Sequence, residues 1–124
     1  MKNIIIIEDE LIAAQNLQRQ LSIVAPDLQI IATLQTIEES VEYFQEKPAP
    51  DLCFMDIHLA DGLAFHIFEK VKVNCPIIFT TAYDQYALAA FKVNYTSKKN
   101  PKEPDIRVYM LNEEGKRAID VASL

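Results

Sequence analysis

The chain has 124 residues, of which half are hydrophobic, and its 12 basic and 18 acidic side chains give a formal net charge of −6. This length predicts one domain with a substantial core. The acidic balance argues against a nucleic-acid-binding face, which needs basic side chains. No apolar run reaches the ~20 residues of a bilayer span, which argues against a membrane-spanning chain. Cys53 and Cys75 lie in or beside apolar runs without metal-type spacing, so we expect reduced core thiols in a cytoplasmic protein.

Short β-rich runs alternate with amphipathic helical stretches over most of the chain. The run "IIII" at residues 4–7 is unbroken and β-branched, which is typical of a strand buried on both faces. Thr36 with Glu39 forms a capping-box pattern for a helix that ends at the breaker Lys47-Pro48. The predicted elements are strands at 4–7, 28–34, 52–55 and 76–79 and helices at 10–25, 36–47, 63–71 and 83–93.

The alternation breaks after the fourth helix. Residues 95–105, "YTSKKNPKEPD", contain two prolines and three lysines and predict an atypical surface loop. Residues 106–111 then favour a fifth strand and residues 113–124 a last helix. Strand–helix alternation of this kind predicts an α/β fold with a parallel sheet and right-handed crossovers.

Polar side chains follow three of the predicted strands. Glu8 and Asp9 follow the first, Asp56 the third, and Thr80 and Thr81 the fourth. The carboxyl ends of parallel strands meet at one edge of the sheet, where two carboxylates ~4 Å apart repel by about 4 kcal/mol. Such a cluster either holds a proton or binds a cation, and carboxylate oxygens without His or Cys favour Mg²⁺.

Two plainer interpretations stay open for these residues. A single acid after a strand is more often a helix N-cap or a solvated loop residue, as Asp9 or Glu10 could be. His58 and His66 could be taken as metal ligands beside Asp56, although His66 falls on the exposed face of a predicted helix. Acids after two strands and hydroxyls after a third favour the metal-dependent site.

These residues carry a family resemblance. The segments "IIIIEDE", "DLCFMDIHLADG" and "PIIFTTAYDQYALAAFKVN" resemble the receiver domain of two-component response regulators, particularly the LytTR type, over residues 1–94. The resemblance implies a flavodoxin-like, doubly wound parallel sheet of five strands in the order 2-1-3-4-5.

The resemblance also implies roles for single residues. Asp56 matches the phosphoacceptor, which takes its phosphoryl group from a phosphohistidine of a sensor histidine kinase. Glu8 and Asp9 would hold Mg²⁺ together with Asp56 and the backbone carbonyl of His58, and Thr81 matches the switch hydroxyl. Such a domain assists its own phosphoryl transfer and is not otherwise an enzyme. Receivers of this kind often form homodimers, here through the fourth helix and the C-terminal segment.

The C-terminal third departs from the family pattern. A receiver normally has a Lys-Pro pair after the fifth strand, where this chain has Asn112 and Glu113, although Tyr109 falls on the position of the switch aromatic. Three explanations compete: a lysine of the loop returns to the pocket, the switch is impaired, or this third is unlike the family. The candidate loop lysines are Lys98, Lys99 and Lys102.

The sequence therefore predicts a receiver domain over residues 1–124 without the DNA-binding output domain of LytTR-type transcription regulators, which needs ~100 further residues. The alternative is a pseudo-receiver, a protein-interaction module with an impaired phosphate switch. A free-standing Mg²⁺-dependent phosphohydrolase is disfavoured, because nothing beyond the pocket resembles an apparatus for binding a substrate.

Overall fold

Strands and helices alternate through residues 2–80, which the computed structural model describes together with the backbone of two later strands. The helices are α1 (Leu11–Val24), α2 (Ile37–Glu46) and α3 (His66–Lys70). The strands are β1 (Lys2–Ile7), β2 (Leu28–Leu34), β3 (Leu52–Met55), β4 (His58–Leu59), β5 (Gly62–Leu63), β6 (Ile77–Phe79), β7 (Val108–Leu111) and β8 (Ala118–Asp120).

Six of these strands form one sheet in the order β2-β1-β3-β6-β7-β8. All neighbouring pairs from β2 to β7 are parallel. These five strands have the predicted order 2-1-3-4-5, so the doubly wound, flavodoxin-like sheet is confirmed. The fifth parallel strand, β7, lies within the run predicted at 106–111.

The sixth strand corrects one expectation. Residues 118–120 pair antiparallel with β7, with Ile119 opposite Met110, so the helix predicted at 113–124 is wrong over this stretch. Pairing satisfies the backbone groups that an edge strand otherwise leaves open, and this gain outweighs a weak helical pattern. The predicted helix at 83–93 and loop at 95–105 lie outside the described residues.

The isoleucines of β1 form the centre of the core. Ile5 and Ile7 pack in the cluster that includes residues of α2 and α3, whereas Ile4 and Ile6 pack on the opposite face with residues of α1. All four side chains are at most 1% exposed, and burial of each contributes about 1.5–3 kcal/mol. The strand that leads to Glu8 and Asp9 is therefore held rigidly on both faces.

The start of α2 has the predicted cap. Thr36 is the N-cap residue, and its Oγ1 accepts a hydrogen bond from the Glu39 N–H at 3.0 Å. The helix ends at Glu46, one residue before Lys47. The predicted N-cap at Thr36 is confirmed.

Residues 58–63 form a two-stranded antiparallel hairpin, which we call the 58–63 hairpin. It pairs His58 with Leu63 and Leu59 with Gly62. Gly62 has a φ of 137°, a region that favours glycine. Because Leu63 belongs to this hairpin, the third helix begins at His66 and is shorter than the predicted 63–71.

Gly62→Ala is expected to destabilise the domain by about 1–3 kcal/mol, because its φ is unfavourable for an L side chain. The added Cβ would also lie 3.3 Å from Ile37 Cδ1. Urea unfolding measures the loss, with the exposed Ala60→Ser in the same turn as a control expected to change stability by less than about 0.5 kcal/mol. Equal midpoints for Gly62→Ala and the wild type would contradict the prediction.

Both cysteines are buried free thiols, as the sequence predicts. Burial raises the pKa of the Cys75 thiol to about 12, and burial, followed by the neighbouring Cys75, raises that of Cys53 well above its ordinary value. Both thiols are therefore protonated at neutral pH. None of the helices in the described part of the chain has the length and apolar character to cross a bilayer.

Candidate functional site

Three carboxylates converge at the carboxyl edge of the sheet. Glu8, Asp9 and Asp56 each offer an oxygen, and these oxygens all lie within 4.8 Å of one another. All three side chains are partly buried. The predicted convergence of the acids that follow β1 and β3 is present.

The backbone explains why these side chains meet. The ladder of hydrogen bonds between parallel strands continues one residue beyond the ends of β1, β3 and β6. The three bonds run from Glu8 N to Leu34 O (2.8 Å), from Asp56 N to Ile7 O (2.8 Å) and from Thr80 N to Met55 O (2.9 Å). Each polar residue is thus fixed to its neighbouring strand at the same edge of the sheet.

Burial and the neighbouring carboxylates raise the pKa of Glu8. Burial raises the pKa of Glu8 from 4.5 to about 8, and a hydrogen bond with Asp56 and its negative charge add to the rise. A hydrogen bond from the Glu10 N–H, 3.4 Å from Glu8 Oε2, opposes it. At neutral pH the cluster therefore retains a proton on Glu8, and this proton relieves the repulsion between the neighbouring carboxylates.

The Asp56 carboxylate is oriented by the chain that follows it. The His58 N–H lies 3.3 Å from Asp56 Oδ1 and donates to it. His58 is also the first residue of the 58–63 hairpin. The direction of the Asp56 side chain thus depends on where this hairpin sits.

The structure also bears on the two alternative interpretations, a helix N-cap for the acids after β1 and a metal ligand for His66. Within residues 2–80, the N-cap position of α1 is held by Glu10, whose side chain makes no capping hydrogen bond. His66 lies on the exposed side of α3, where its Nδ1 is 3.0 Å from Glu69 Oε2. Glu8 and Asp9 therefore belong to the carboxylate cluster, whereas Glu10 occupies the N-cap position, as the alternative interpretation allows. His66 belongs to a separate surface pair with Glu69.

The donor set of the cluster fits a divalent cation. The three ligand atoms that the side chains offer are carboxylate oxygens, which suit hard cations such as Mg²⁺. A bound cation would replace the proton that Glu8 otherwise holds, since both relieve the same repulsion.

Several predicted site residues lie outside this description. Thr81 and Asn112, like the three loop lysines, are not among the described residues. Tyr109 lies on β7 opposite Ile78 of β6, as a fifth strand requires, and only its backbone is described. Sequence reasoning missed Asp61, whose carboxylate accepts hydrogen bonds from the start of α2.

Comparison with known sequences identifies the family. The model of the response regulator receiver domain matches residues 4–116. The chain is 38% identical over 95 residues to the sensory transduction protein LytT of Enterococcus faecalis (strain ATCC 700802 / V583), which covers 74% of this chain and 38% of that protein. It is 36% identical over 97 residues to LytT of Bacillus anthracis, covering 76% and 39% respectively. The chain thus spans less than two fifths of the length of these relatives.

Solved structures agree in fold. A DNA-binding response regulator of the LuxR family from Staphylococcus aureus aligns with a TM-score of 0.68 at 16% identity, covering 99% of this chain and 92% of that one. The receiver domain of the Erythrobacter litoralis response regulator PhyR aligns with a TM-score of 0.61 at 27% identity, covering 90% and 78%. With its parallel sheet and the acids at its carboxyl edge, this chain belongs to the receiver domain family of two-component response regulators.

Proposed function

We propose that this chain is a phosphoacceptor signalling domain in which Asp56 accepts a phosphoryl group from a histidine kinase with the help of Mg²⁺. The observation that carries the proposal is the convergence of Glu8, Asp9 and Asp56 oxygens within 4.8 Å at the carboxyl edge of the sheet. In open α/β sheets this edge is where ligands bind.

The cation site in this proposal consists of Glu8, Asp9, Asp56 and the backbone carbonyl of His58. When bound, Mg²⁺ supplies positive charge that neutralises the oxygens of the transferred phosphoryl group. Glu8 and Asp9 follow a strand that is buried on both faces, so their positions change little when the cation binds. Binding would displace the proton of Glu8.

The chemical step in this proposal is an in-line displacement at phosphorus. An Asp56 carboxylate oxygen forms a bond to phosphorus as the bond from phosphorus to the donor imidazole nitrogen breaks, and the imidazole leaves with the electron pair. A carboxylate is a modest nucleophile, so the rate depends on positioning. Asp56 is positioned by its N–H bond to Ile7 O and by the His58 N–H, and its side chain is only partly buried.

Phosphorylation would place about two negative charges where one carboxylate stood. In our proposal Thr81 and Tyr109 respond to this charge and bias a two-state element near β6 and β7, while Asn112 offers a hydrogen bond without the usual lysine charge. The switch would control a partner or an output domain in the cytoplasm. The similarity to the sensory transduction proteins LytT supports a signalling role. Control of transcription and homodimerisation through the fourth helix and the C-terminal segment belong to the same proposal.

Acetyl phosphate provides the test. Incubation with acetyl phosphate and Mg²⁺ is expected to add one phosphoryl group in intact-mass measurements, and hydroxylamine is expected to remove it, as for an acyl phosphate. Chelation of Mg²⁺ should suppress the adduct. If folded protein that binds Mg²⁺ gains no phosphoryl group, the phosphoacceptor proposal is wrong and the pseudo-receiver alternative takes its place.

A further inference from the structure

The turn of the 58–63 hairpin is bonded to the first turn of α2. Asp61 Oδ1 accepts a hydrogen bond from the Ile37 N–H at 2.8 Å, and Oδ2 accepts one from the Glu38 N–H at 3.3 Å. The first N–H groups of a helix have no partner within the helix, so they need acceptors from elsewhere. Thr36 satisfies the third donor of this turn, the Glu39 N–H. The start of α2 is thus capped both by Thr36, the residue directly before the helix, and by Asp61 of the hairpin.

Packing reinforces these bonds. A Cβ on Gly62 would lie 3.3 Å from Ile37 Cδ1, so the hairpin backbone runs close against α2. Leu59 is buried in the same core cluster as Ile37. At the other end of the hairpin, the Ala64 N–H donates to Ile57 O at 2.8 Å. The hairpin is therefore fixed at both its base and its turn.

The bonds at Asp61 involve an ionised acceptor. Desolvation raises the pKa of Asp61, but the N–H donors of Ile37 and Glu38, the N–H of Asp61 itself and the positive charge of Lys70 lower it, and the net pKa lies below its ordinary value. Hydrogen bonds to an ionised carboxylate are stronger than neutral ones, and negative charge is favourable at a helix N-terminus.

The hairpin needs such an anchor. It contains only two paired positions, His58 with Leu63 and Leu59 with Gly62. A two-stranded hairpin is marginally stable by itself, so its position depends on contacts with the rest of the domain. Any shift of the hairpin also moves the His58 N–H that orients Asp56 Oδ1.

We infer that Asp61 is a positioning residue for the Asp56 site, because it anchors the 58–63 hairpin on α2 and so holds the backbone of His58 beside Asp56. This inference rests on the proposed function, since it assigns the His58 carbonyl to the cation. Asp61 itself does not belong to the cluster of Glu8, Asp9 and Asp56. Its effect reaches the site through the hairpin backbone.

Thr36 offers a matched control. Its hydroxyl accepts a hydrogen bond from the same helix turn, but it precedes α2 and is not part of the hairpin. Thr36→Ala and Asp61→Ala both remove acceptors from the start of α2. Only Asp61→Ala releases the hairpin.

The experiment compares the wild type, Asp61→Ala, Asp61→Asn and Thr36→Ala by calorimetric titration with MgCl₂. Asp61→Ala is expected to raise the Mg²⁺ dissociation constant about tenfold, as loss of an orienting residue around a metal typically does. Asp61→Asn keeps an acceptor oxygen and should restore most of the affinity, and Thr36→Ala should change it by less than about twofold. Without metal, amide hydrogen exchange over residues 57–64 should accelerate in Asp61→Ala and stay unchanged in Thr36→Ala.

Equal effects of Asp61→Ala and Thr36→Ala on Mg²⁺ affinity and on exchange over 57–64 would overturn the inference. A wild type that binds no Mg²⁺ would instead overturn the proposed function, while hydrogen exchange still decides whether Asp61 anchors the hairpin. If Asp61→Ala does not fold, Asp61→Leu, which also lacks an acceptor oxygen, takes its place in the comparison with Thr36→Ala. Hydrogen exchange over residues 57–64 and Mg²⁺ affinity that both stay at wild-type values in folded Asp61→Leu would also overturn the inference.

Discussion

Asp56→Asn is expected to abolish phosphoryl transfer from acetyl phosphate and to leave the fold intact. The amide has the shape of the carboxylate and can still accept the His58 N–H, but it lacks the anionic oxygen that attacks phosphorus. Intact-mass measurement should show the loss as complete within detection. Burial, the largest cause of the raised pKa of Glu8, remains, but the substitution removes the negative charge of Asp56 that adds to it, so the proton on Glu8 should be released at lower pH than in the wild type.

Asp51→Asn is the matched control for this prediction. Asp51 lies just before the opposite end of β3, where its Oδ2 accepts the Asn3 N–H at 2.7 Å. The same chemical change there should leave the adduct unaffected, although it removes a charge-assisted bond and costs up to about 1 kcal/mol of stability. Persistence of the adduct in Asp56→Asn would show that another residue accepts the phosphoryl group.

The stability of the metal-free domain is expected to fall as the pH rises from about 4.5 to about 8. Glu8 has an ordinary pKa of 4.5 and a pKa of about 8 in the folded domain. Between these values the folded state binds more protons than the unfolded state, so a rise in pH favours unfolding. Because Glu8 is partly exposed and water screens its repulsion, we expect a loss of about 1–2 kcal/mol from this group. Urea unfolding at several pH values in a chelator measures it.

Mg²⁺ should reverse this loss, since the cation takes the place of the proton. At a concentration a hundredfold above its dissociation constant it would stabilise the domain by about 2.7 kcal/mol. Glu8→Gln should flatten the pH dependence and remove most of the stabilisation by Mg²⁺. Glu46→Gln, at the far end of α2, changes the net charge equally and should behave as the wild type. An unchanged pH dependence in Glu8→Gln would contradict the assignment of the shift to Glu8.

The elements that sequence reasoning anticipates best are those with a local signal. The β-branched run at 4–7 predicts a strand buried between two helical layers, as observed. The spacing of Thr36 and Glu39 predicts the N-cap of α2. The convergence of Glu8 with Asp56 was also predictable, because parallel strands end at the same edge. Neither inference needs knowledge of contacts between distant residues.

The 58–63 hairpin could not be predicted in the same way. Its strands have two residues each, too few for an alternating pattern, and Gly62 alone signals a special backbone. The bond from Ile37 to Asp61 joins residues 24 positions apart, so no short motif reports it. The strand β8 was missed for a related reason, since its pairing depends on the open edge of β7.

The two buried cysteines make the domain suitable for site-specific chemistry. Cys53 and Cys75 are the chain's only sulfhydryl groups, and each side chain is at most 3% exposed. Maleimides react with the exposed thiolate, which neither provides in the native fold. A fluorophore or spin label can therefore be attached to one introduced surface cysteine with both native residues in place, and slow modification of the native pair reports opening of the core.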